Sequence, residues 1–183
     1  MRYIDTTNPC TVQESCTQYI MGRRSSYEFR SIRYSAVFNT LLVLGLTDFD
    51  TITDVGAGDG EFGRFLREQG FNGEYIAIDG LIDGTDLNVW QPRRTSEFFT
   101  SIEVIEHLRS PARLLQILDF YATKGVVITT PNPVVTDVRA MDSTHISEVY
   151  PDEFLRAGYH VTPQIFFFEP EDSLLAWRNN GNT

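Results

Sequence analysis

The chain has 183 residues, of which 42% are hydrophobic and 22% charged, and its formal net charge is −10. This length suits one domain with a sizeable core, and the composition excludes a disordered or collagen-like chain. No stretch reaches the roughly 18 apolar residues of a membrane span, and the N-terminus lacks the apolar segment of a secretory signal. The two cysteines, Cys10 and Cys16, are too few for a disulfide framework. We therefore expect a single-domain cytoplasmic protein with no membrane partner.

The charge is distributed unevenly along the chain. Residues 1–35 carry five arginines and three acids, whereas the remaining residues carry 10 basic and 22 acidic side chains. Such an acidic body argues against broad nonspecific binding to nucleic acid. We divide the chain into an N-terminal arm, residues 1–30, and a folded domain, residues 31–183. The arginines and aromatics of residues 23–34 either hold an anionic or planar ligand or form an ordinary amphipathic helix.

The first half of the chain contains a strand–loop–helix–strand unit. A helix is predicted from about Ser31, with an inward face formed by Ile32, Ser35, Ala36, Asn39, Leu42 and Val43. Residues 51–55 are a short β-branched run that ends in a glycine-rich loop, and a helical pattern follows as far as Gly70. Residues 74–79 form the next buried strand, which completes a βαβ unit.

The second half continues to alternate strands and helices. Residues 86–90 are strand-like, 98–102 and 125–130 are buried strands, and Ser110-Pro111 begins a helix. Pro151 begins a short helix, and residues 165–168 and 174–177 are predicted to pair as a hairpin. The fold class is therefore α/β, with a Rossmann-like, mostly parallel sheet, helices on both faces and a C-terminal antiparallel hairpin.

The glycine-rich loop, with the sequence GAGDG at residues 56–60, is a candidate ligand site. Glycines allow a sharp turn and let backbone N–H groups approach a ligand. Asp54, Asp59 and Glu61 surround this loop, and no lysine or arginine lies between Asp54 and Arg64. These acids argue against a diphosphate and favour a ligand with cationic groups and one carboxylate. Asp79, at the end of the second strand, can accept the two hydroxyls of a ribose.

As a set, these motifs resemble the class I S-adenosylmethionine-dependent methyltransferases. The resemblance rests on DVGAGDGEFGRFL, AIDG, DLN, SIEVIEHL and TTPNP. It implies a seven-stranded sheet and S-adenosylmethionine as cofactor. The resemblance further implies that the methionine part of the cofactor is bound by Asp54, Gly56, Ala57 and Gly58, and the ribose by Asp79 and Gly80. It also implies that Asp86 and Leu87 lie near the adenine and that Ile102 packs beneath the cofactor.

A second motif suggests a metal ion. Glu103, Glu106 and His107 share one face if a helical turn begins near Ile102, and His145 follows the fifth strand. Two carboxylates and two imidazoles suit Mg²⁺, Mn²⁺ or Zn²⁺. The motif looks like that of metal-dependent 2′-O-methyltransferases acting on the 3′ end of small RNAs, and like that of ubiquinone-pathway O-methyltransferases. Alternatively no metal binds, the two acids favour a helix N-terminus, and His107 or His145 acts as a base.

The resemblance implies an enzyme that methylates a hydroxyl of a small molecule or of an RNA end, with Glu106, His107 and His145 as catalytic residues. The motif of DNA amine methyltransferases is absent at the position where the sequence has Ile102-Glu103-Val104-Ile105. Two alternatives stay open at this point. One is a Rossmann-type nucleotide-dependent oxidoreductase, and the other is a catalytically silent module that binds S-adenosylmethionine.

Overall fold

The fold is described from a computed structural model that covers residues 1–3, 27–167 and 169–181. In chain order its elements are β1 (Arg2–Tyr3), α1 (Tyr27–Val43), β2 (Thr51–Val55), α2 (Glu61–Glu68), β3 (Glu74–Ile78), α3 (Gly80–Asp83), β4 (Ser96–Ile102), a 3₁₀ turn (Ile105–His107), α4 (Pro111–Tyr121), β5 (Ala122–Pro131), α5 (Val138–Met141), β6 (Ser147–Glu148), α6 (Pro151–Arg156), β7 (His160–Gln164) and β8 (Ser173–Asn179).

A six-stranded sheet in the order β3-β2-β4-β5-β8-β7 forms the centre of the fold. Strands β3, β2, β4 and β5 are parallel, and β8 runs antiparallel to both of its neighbours. Strands β1 and β6 form a separate antiparallel pair. The α/β class and the mostly parallel sheet are therefore confirmed, with six strands in the described part of the sheet instead of seven.

The strand expected at residues 86–90 is a turn, which accounts for the smaller sheet. Oδ1 of Asp86 accepts a hydrogen bond from the backbone N–H of Asn88 at 2.9 Å. The carbonyl of Asp86 accepts from the N–H groups of Val89 and Trp90. These bonds satisfy the backbone locally, as aspartate often does in turns, so the segment makes no ladder with β3.

The C-terminal hairpin exists, but its first strand lies earlier than predicted. Strand β7 pairs with β8 from His160 to Gln164, whereas residues 165–168 were expected to form this strand. The carboxylate of Asp172 accepts hydrogen bonds from the backbone N–H groups of Phe166, Phe167 and Glu169. These bonds fold the chain into a loop where a ladder was expected, and residue 168 lies outside the described part of the chain.

Helix α1 begins at Tyr27, within the range assigned to the arm, and its buried face differs from the predicted one. The buried residues are Arg33, Tyr34, Val37 and Leu41. Asn39 and the predicted apolar residues Ile32, Leu42 and Val43 are exposed. Tyr34, Val37 and Leu41 are spaced so that they lie on one face of the helix. This face is buried because it packs on β4, β5 and β8.

Two apolar clusters cover the two faces of the sheet. One joins α1 and α2 to the sheet through Leu41, Phe62 and Phe98, and the other joins α4 through Leu118 and Phe99. The consecutive residues Phe98 and Phe99 point to opposite faces, as alternation along a strand requires. The carboxyl ends of β2 and β4 are thereby held side by side.

Part of the arm lies outside the described residues. These undescribed positions include Cys10, Cys16 and the arginines at positions 23 and 24. None of the described helices is long and apolar enough to cross a membrane.

Candidate functional site

The glycine-rich loop between β2 and α2 has backbone conformations that favour glycine. Gly56, Gly58 and Gly60 have φ angles of 83°, 58° and 78°. A Cβ on Gly56 would lie only 2.2 Å from Cγ2 of Val104, so no other residue fits there without displacement. The N–H groups of Gly56 and Ala57 donate to the carbonyl of Ile78. The loop is therefore fixed against both neighbouring strand ends.

Asp79 connects this loop to α3. Its Oδ2 accepts a hydrogen bond from the N–H of Gly58 at 3.0 Å, and its Oδ1 accepts one from the N–H of Leu81 at 2.8 Å. Burial raises the pKa of this carboxyl, and the two backbone bonds partly offset that effect. A carboxylate has about four acceptor positions, so two remain for a ligand after these bonds. The structure thus brings Asp79, Gly58 and Gly80 together.

Asp54 lies beneath the loop with hydroxyl partners on both carboxylate oxygens. Tyr75 donates to Oδ2 at 2.6 Å and Thr100 donates to Oδ1 at 2.7 Å, and only 2% of the residue is exposed. Burial raises the pKa of Asp54 to about 6. The ring of Tyr75 lies where a Cβ on Gly63 would stand. Asp54 therefore joins β2 to its neighbouring strands and to α2.

Sequence reasoning missed Tyr75 and Thr100. Thr100 is the β4 residue opposite Asp54 in the parallel register, and Tyr75 is on β3. A hydroxyl on each flanking strand is the signal that could have identified them, because a buried carboxylate needs donors on both sides.

The segment predicted to contact adenine is held beside the start of α4. Oδ1 of Asn88 accepts a hydrogen bond from the N–H of Arg109, and the side chain of Arg113 donates to the carbonyl of Trp90. Leu87 packs against the apolar cluster on the α4 face of the sheet, and Ile102 packs against the cluster on the opposite face. These contacts give the segment a defined position without a strand.

The buried Arg33 and the half-buried Glu103 form an ion pair at the end of β4. Oε2 of Glu103 lies 3.8 Å from Nη1 of Arg33, and the guanidinium carbon of Arg33 lies 5.0 Å from the ring centroid of Phe167. Glu103 has a φ of 55°, in the left-handed region that non-glycine residues rarely adopt. Burial raises the pKa of Glu103, and the charge of Arg33 opposes that rise.

Three of the four residues in the predicted metal set, Glu106, His107 and His145, lie together. One ligand atom from each of Glu106, His107 and His145 lies within 4.8 Å of the others. Within the described residues Glu103 is not part of this group, because the helical turn begins only at Ile105 and the side chain of Glu103 contacts Arg33. A hydrogen bond from the N–H of Ile146 to the carbonyl of Glu106 holds the histidine-bearing segment beside the turn.

The rings of His107 and His145 are each oriented by hydrogen bonding at Nδ1. Nδ1 of His145 lies 2.6 Å from the carbonyl oxygen of Val138, and Nδ1 of His107 lies 3.2 Å from that of Thr144. A carbonyl can only accept, and the Thr144 hydroxyl that lies 3.0 Å from Nδ1 of His107 donates its own proton to Asp142. Each Nδ1 therefore carries a proton, and each Nε2 keeps a lone pair. Burial lowers the pKa of His107 to about 4 and lowers that of His145. Oε2 of Glu106 accepts from the hydroxyl of Thr130 at 3.0 Å, whereas its buried Oε1 has no hydrogen-bond partner.

A family model described as a methyltransferase domain matches residues 29–180. No curated protein matches the chain in sequence. Solved structures with the same fold include an S-adenosylmethionine-dependent methyltransferase from Archaeoglobus fulgidus, with 18% identity over 85% of this chain and 95% of that one, at a TM-score of 0.60. Another, from Mesorhizobium loti, is 15% identical over 79% of this chain and 97% of that one, at a TM-score of 0.58.

A third structure is the plantazolicin methyltransferase BpumL in complex with a pentazolic desmethylPZN analogue and S-adenosylhomocysteine. It is 15% identical over 90% of this chain and 89% of that chain, at a TM-score of 0.64. The family match decides against the oxidoreductase alternative. The chain belongs to the methyltransferase-domain family, and its fold is that of the class I S-adenosylmethionine-dependent methyltransferases.

Proposed function

We propose that this protein is an S-adenosylmethionine-dependent methyltransferase that binds its cofactor at the glycine-rich loop and Asp79. The observation that carries the proposal is the position of the Asp79 carboxylate, which is bonded to the loop through Gly58 and still has acceptor capacity. The BpumL structure holds S-adenosylhomocysteine, and it shares this chain's fold over most of its length.

The residues around the loop suit this cofactor. Asp79 and Gly80 would hold the ribose, and Gly56 to Gly58 would face the methionine part. Asp86 and Leu87 would lie near the adenine, and Ile102 would pack beneath the cofactor. Asp54 would act by positioning the loop, because hydroxyl groups already occupy both of its oxygens. The bound cofactor supplies a methyl group on a positively charged sulphur. Acidic groups near the loop favour that charge over a diphosphate.

We further propose that Glu106, His107 and His145 bind a divalent metal ion. This assignment is supported by the Nε2 lone pairs of the two histidines and by Oε1 of Glu106, which has no hydrogen-bond partner. Histidines that bind metals usually donate their other ring N–H to an acceptor such as a backbone carbonyl, as both do here. Two imidazoles and one carboxylate favour Zn²⁺ or Mn²⁺ over Mg²⁺, which prefers oxygen ligands. If no metal binds, His107 and His145 are the candidate bases.

The acceptor we propose is a hydroxyl of a small molecule or of an RNA end. The acidic character of the chain after residue 35 favours a small or neutral acceptor over extended nucleic acid. The experiment that tests the activity is incubation with isotopically labelled S-adenosylmethionine and pools of small-molecule alcohols and short RNAs. Label transferred to a hydroxyl supports the proposal. Binding of S-adenosylhomocysteine without transfer to either pool contradicts it and favours the silent module.

A further inference from the structure

Glu61 is the first residue of α2, and its carboxylate is held against α1 by two side chains. Nε of Arg30 donates to Oε2 of Glu61, and Nη2 of the same guanidinium donates to Oε1 at 2.8 Å. The hydroxyl of Tyr34 donates to Oε2 at 3.0 Å, and only 4% of Glu61 is exposed. A guanidinium that donates twice to one carboxylate is the strong form of an ion pair. The charge of Glu61 is therefore balanced by a partner in a fixed position.

The carboxylate of Glu61 is ionised although it is buried. Burial alone would raise its pKa, but hydrogen bonds from Arg30 and Tyr34 and the charges of Arg30 and Arg64 lower it. Arg64 contributes less to this balance, because its Nη2 lies 3.4 Å from Oε1 of Glu61 and its side chain is 56% exposed. Among the described residues, Arg30 is thus the closest cationic partner of Glu61.

This ion pair lies at the end of the glycine-rich loop. Gly60, the last residue of the loop, has a φ of 78° and directly precedes Glu61. Consecutive Cα atoms are about 3.8 Å apart, so the charge of Glu61 lies on the order of 10 Å from the middle of the loop. The pair is therefore close enough to act on a charged group of a ligand that the loop binds.

The proposed cofactor brings charges of both signs to this loop. Acidic side chains around the loop attract its sulphonium and ammonium groups, but they repel the carboxylate of its methionine part. Asp54 and Asp79 are bonded to hydroxyl and backbone groups instead of to a cation. An unbalanced Glu61 would be a third acid that repels the carboxylate, and Arg30 removes this contribution.

We infer that the Arg30–Glu61 ion pair determines the affinity of the site for the carboxylate of the cofactor's methionine part, an inference that rests on the proposed function. Arg30 acts by cancelling the charge of Glu61 at the end of the loop that leads into α2. Helix α1 thereby belongs to the cofactor site, although it precedes the βαβ unit. Two charges about 10 Å apart, at an effective dielectric constant of about 20, change an affinity by roughly tenfold.

Two ligands that differ by one carboxylate test the inference. S-Adenosylhomocysteine has an ammonium and a carboxylate group, whereas decarboxylated S-adenosylhomocysteine keeps the ammonium group alone. Isothermal titration calorimetry gives the affinity of each ligand, and the quantity compared is the ratio of the first affinity to the second. General damage to the site weakens both ligands and leaves the ratio unchanged. A change of charge beside the carboxylate alters the ratio.

Substitution of the two partners should change this ratio in opposite directions. Arg30→Met leaves the charge of Glu61 unbalanced, so the ratio should fall by about tenfold. Glu61→Gln leaves the charge of Arg30 unbalanced, so the ratio should rise by about tenfold. The double variant has neither charge, and its ratio should return to within about threefold of the wild-type value. Such a cycle isolates the interaction between the two side chains.

Tyr27→Phe is the matched control. Tyr27 donates to Glu68 and so joins the same two helices at the other end of α2, away from the loop. This variant should leave the ratio unchanged. A ratio that is constant across all variants, or that moves in the same direction in Arg30→Met and Glu61→Gln, overturns the inference.

The melting temperature of each variant shows whether it is folded. If Arg30→Met does not fold, the rise in the ratio expected for Glu61→Gln still decides the inference. The proposed function fails separately, because a wild-type protein that binds neither ligand contradicts the cofactor assignment. Normal binding of both ligands without the expected changes in their ratio contradicts only the role of the Arg30–Glu61 pair.

Discussion

Asp79 and Gly58 are joined by a hydrogen bond of 3.0 Å from the backbone N–H of the glycine to the carboxylate of the aspartate. The other oxygen of Asp79 accepts from Leu81, so a single side chain holds the glycine-rich loop and α3 in one arrangement. Both donors belong to the backbone, and the carboxylate is therefore oriented before any ligand binds. Such preorganisation lowers the entropic cost of binding.

The first prediction concerns Asp79→Asn. The amide nitrogen that this substitution introduces would face a backbone N–H, either of Gly58 or of Leu81, and two donors cannot bond to each other. We expect the affinity for S-adenosylhomocysteine to fall by about 10- to 100-fold, as for the loss of charge-assisted hydrogen bonds. Isothermal titration calorimetry measures this change. Asp83→Asn, at the other end of α3, is the control, and equal affinity of the two variants would contradict the prediction.

The second prediction concerns Gly56→Ala. The new Cβ would meet Val104 at 2.2 Å in a backbone with φ of 83°, so both a clash and strain result. We expect a loss of about 2–4 kcal/mol in the free energy of unfolding and loss of cofactor binding.

Gly45→Ala separates the two causes. Its φ of 89° imposes similar strain, but no atom lies within 4 Å of the new Cβ. Chemical denaturation should show a loss of about 1 kcal/mol for this control, with unchanged cofactor affinity. If Gly56→Ala binds S-adenosylhomocysteine as tightly as Gly45→Ala does, the close fit of the loop has no functional importance.

The βαβ unit with its glycine-rich loop could be predicted because each part has a local signal. A β-branched run precedes the loop, Gly70 ends the helix, and Asp79 ends the next strand. Residues 86–90 failed as a strand because Asp86 satisfies the neighbouring backbone itself. The hairpin register shifted because Asp172 binds three backbone N–H groups of the segment before it. Side-chain bonds to the backbone do not appear in hydrophobic periodicity.

The third prediction concerns the pH dependence of stability. Burial raises the pKa of Asp54 from 3.8 to about 6, so the folded protein binds this proton more tightly than the unfolded chain does. Its stabilising effect is complete below about pH 4 and is lost as the pH rises through 6. The amide introduced by Asp54→Asn does not titrate. This substitution should therefore reduce the loss of unfolding free energy between pH 4 and pH 7 by up to about 3 kcal/mol.

Urea denaturation from pH 4 to pH 7 measures the effect in both proteins. Asp50→Asn serves as the control and should leave the slope between pH 4 and pH 7 unchanged, because the stabilising effect of Asp50 is lost only below about pH 4. Burial alone would raise the pKa of Asp50, but hydrogen bonds from Lys124 and Thr47 lower it, so its stabilising effect is lost on acidification. An unchanged pH profile in Asp54→Asn would show that Asp54 does not titrate in this range.

The fourth prediction concerns the metal ion. Glu106→Ala and His145→Ala should each abolish binding of Co²⁺ or Zn²⁺, because each removes one of three ligands, while the affinity for S-adenosylhomocysteine stays within about threefold. The visible spectrum of Co²⁺ reports the ligands directly. His160→Ala removes a histidine that stacks on Trp177 in β7 and β8, and it should leave the Co²⁺ spectrum unchanged. Full activity of the wild-type enzyme in excess EDTA would contradict a catalytic role for the metal.

At the candidate site, the sequence indicated the residue types but not every partner. Glu106, His107 and His145 were expected together and lie together. Arg33 belongs to residues 23–34, which were expected either to hold a ligand or to form an ordinary amphipathic helix. Its position beside Glu103 could not be predicted, because it depends on how α1 packs on the sheet. Phe167 was missed because residues 165–168 were expected to form a strand, whereas hydrogen bonds to Asp172 fold this segment into a loop.

The glycine-rich loop and Asp79 are proposed to bind an S-adenosyl nucleoside. Isothermal titration of the purified protein with S-adenosylhomocysteine, with reduced nicotinamide dinucleotide as the competing ligand, tests this claim most directly. We expect one-to-one binding of S-adenosylhomocysteine that Asp79→Asn weakens, and no heat with the dinucleotide. Binding of the dinucleotide at the loop, or no heat with S-adenosylhomocysteine, would contradict it.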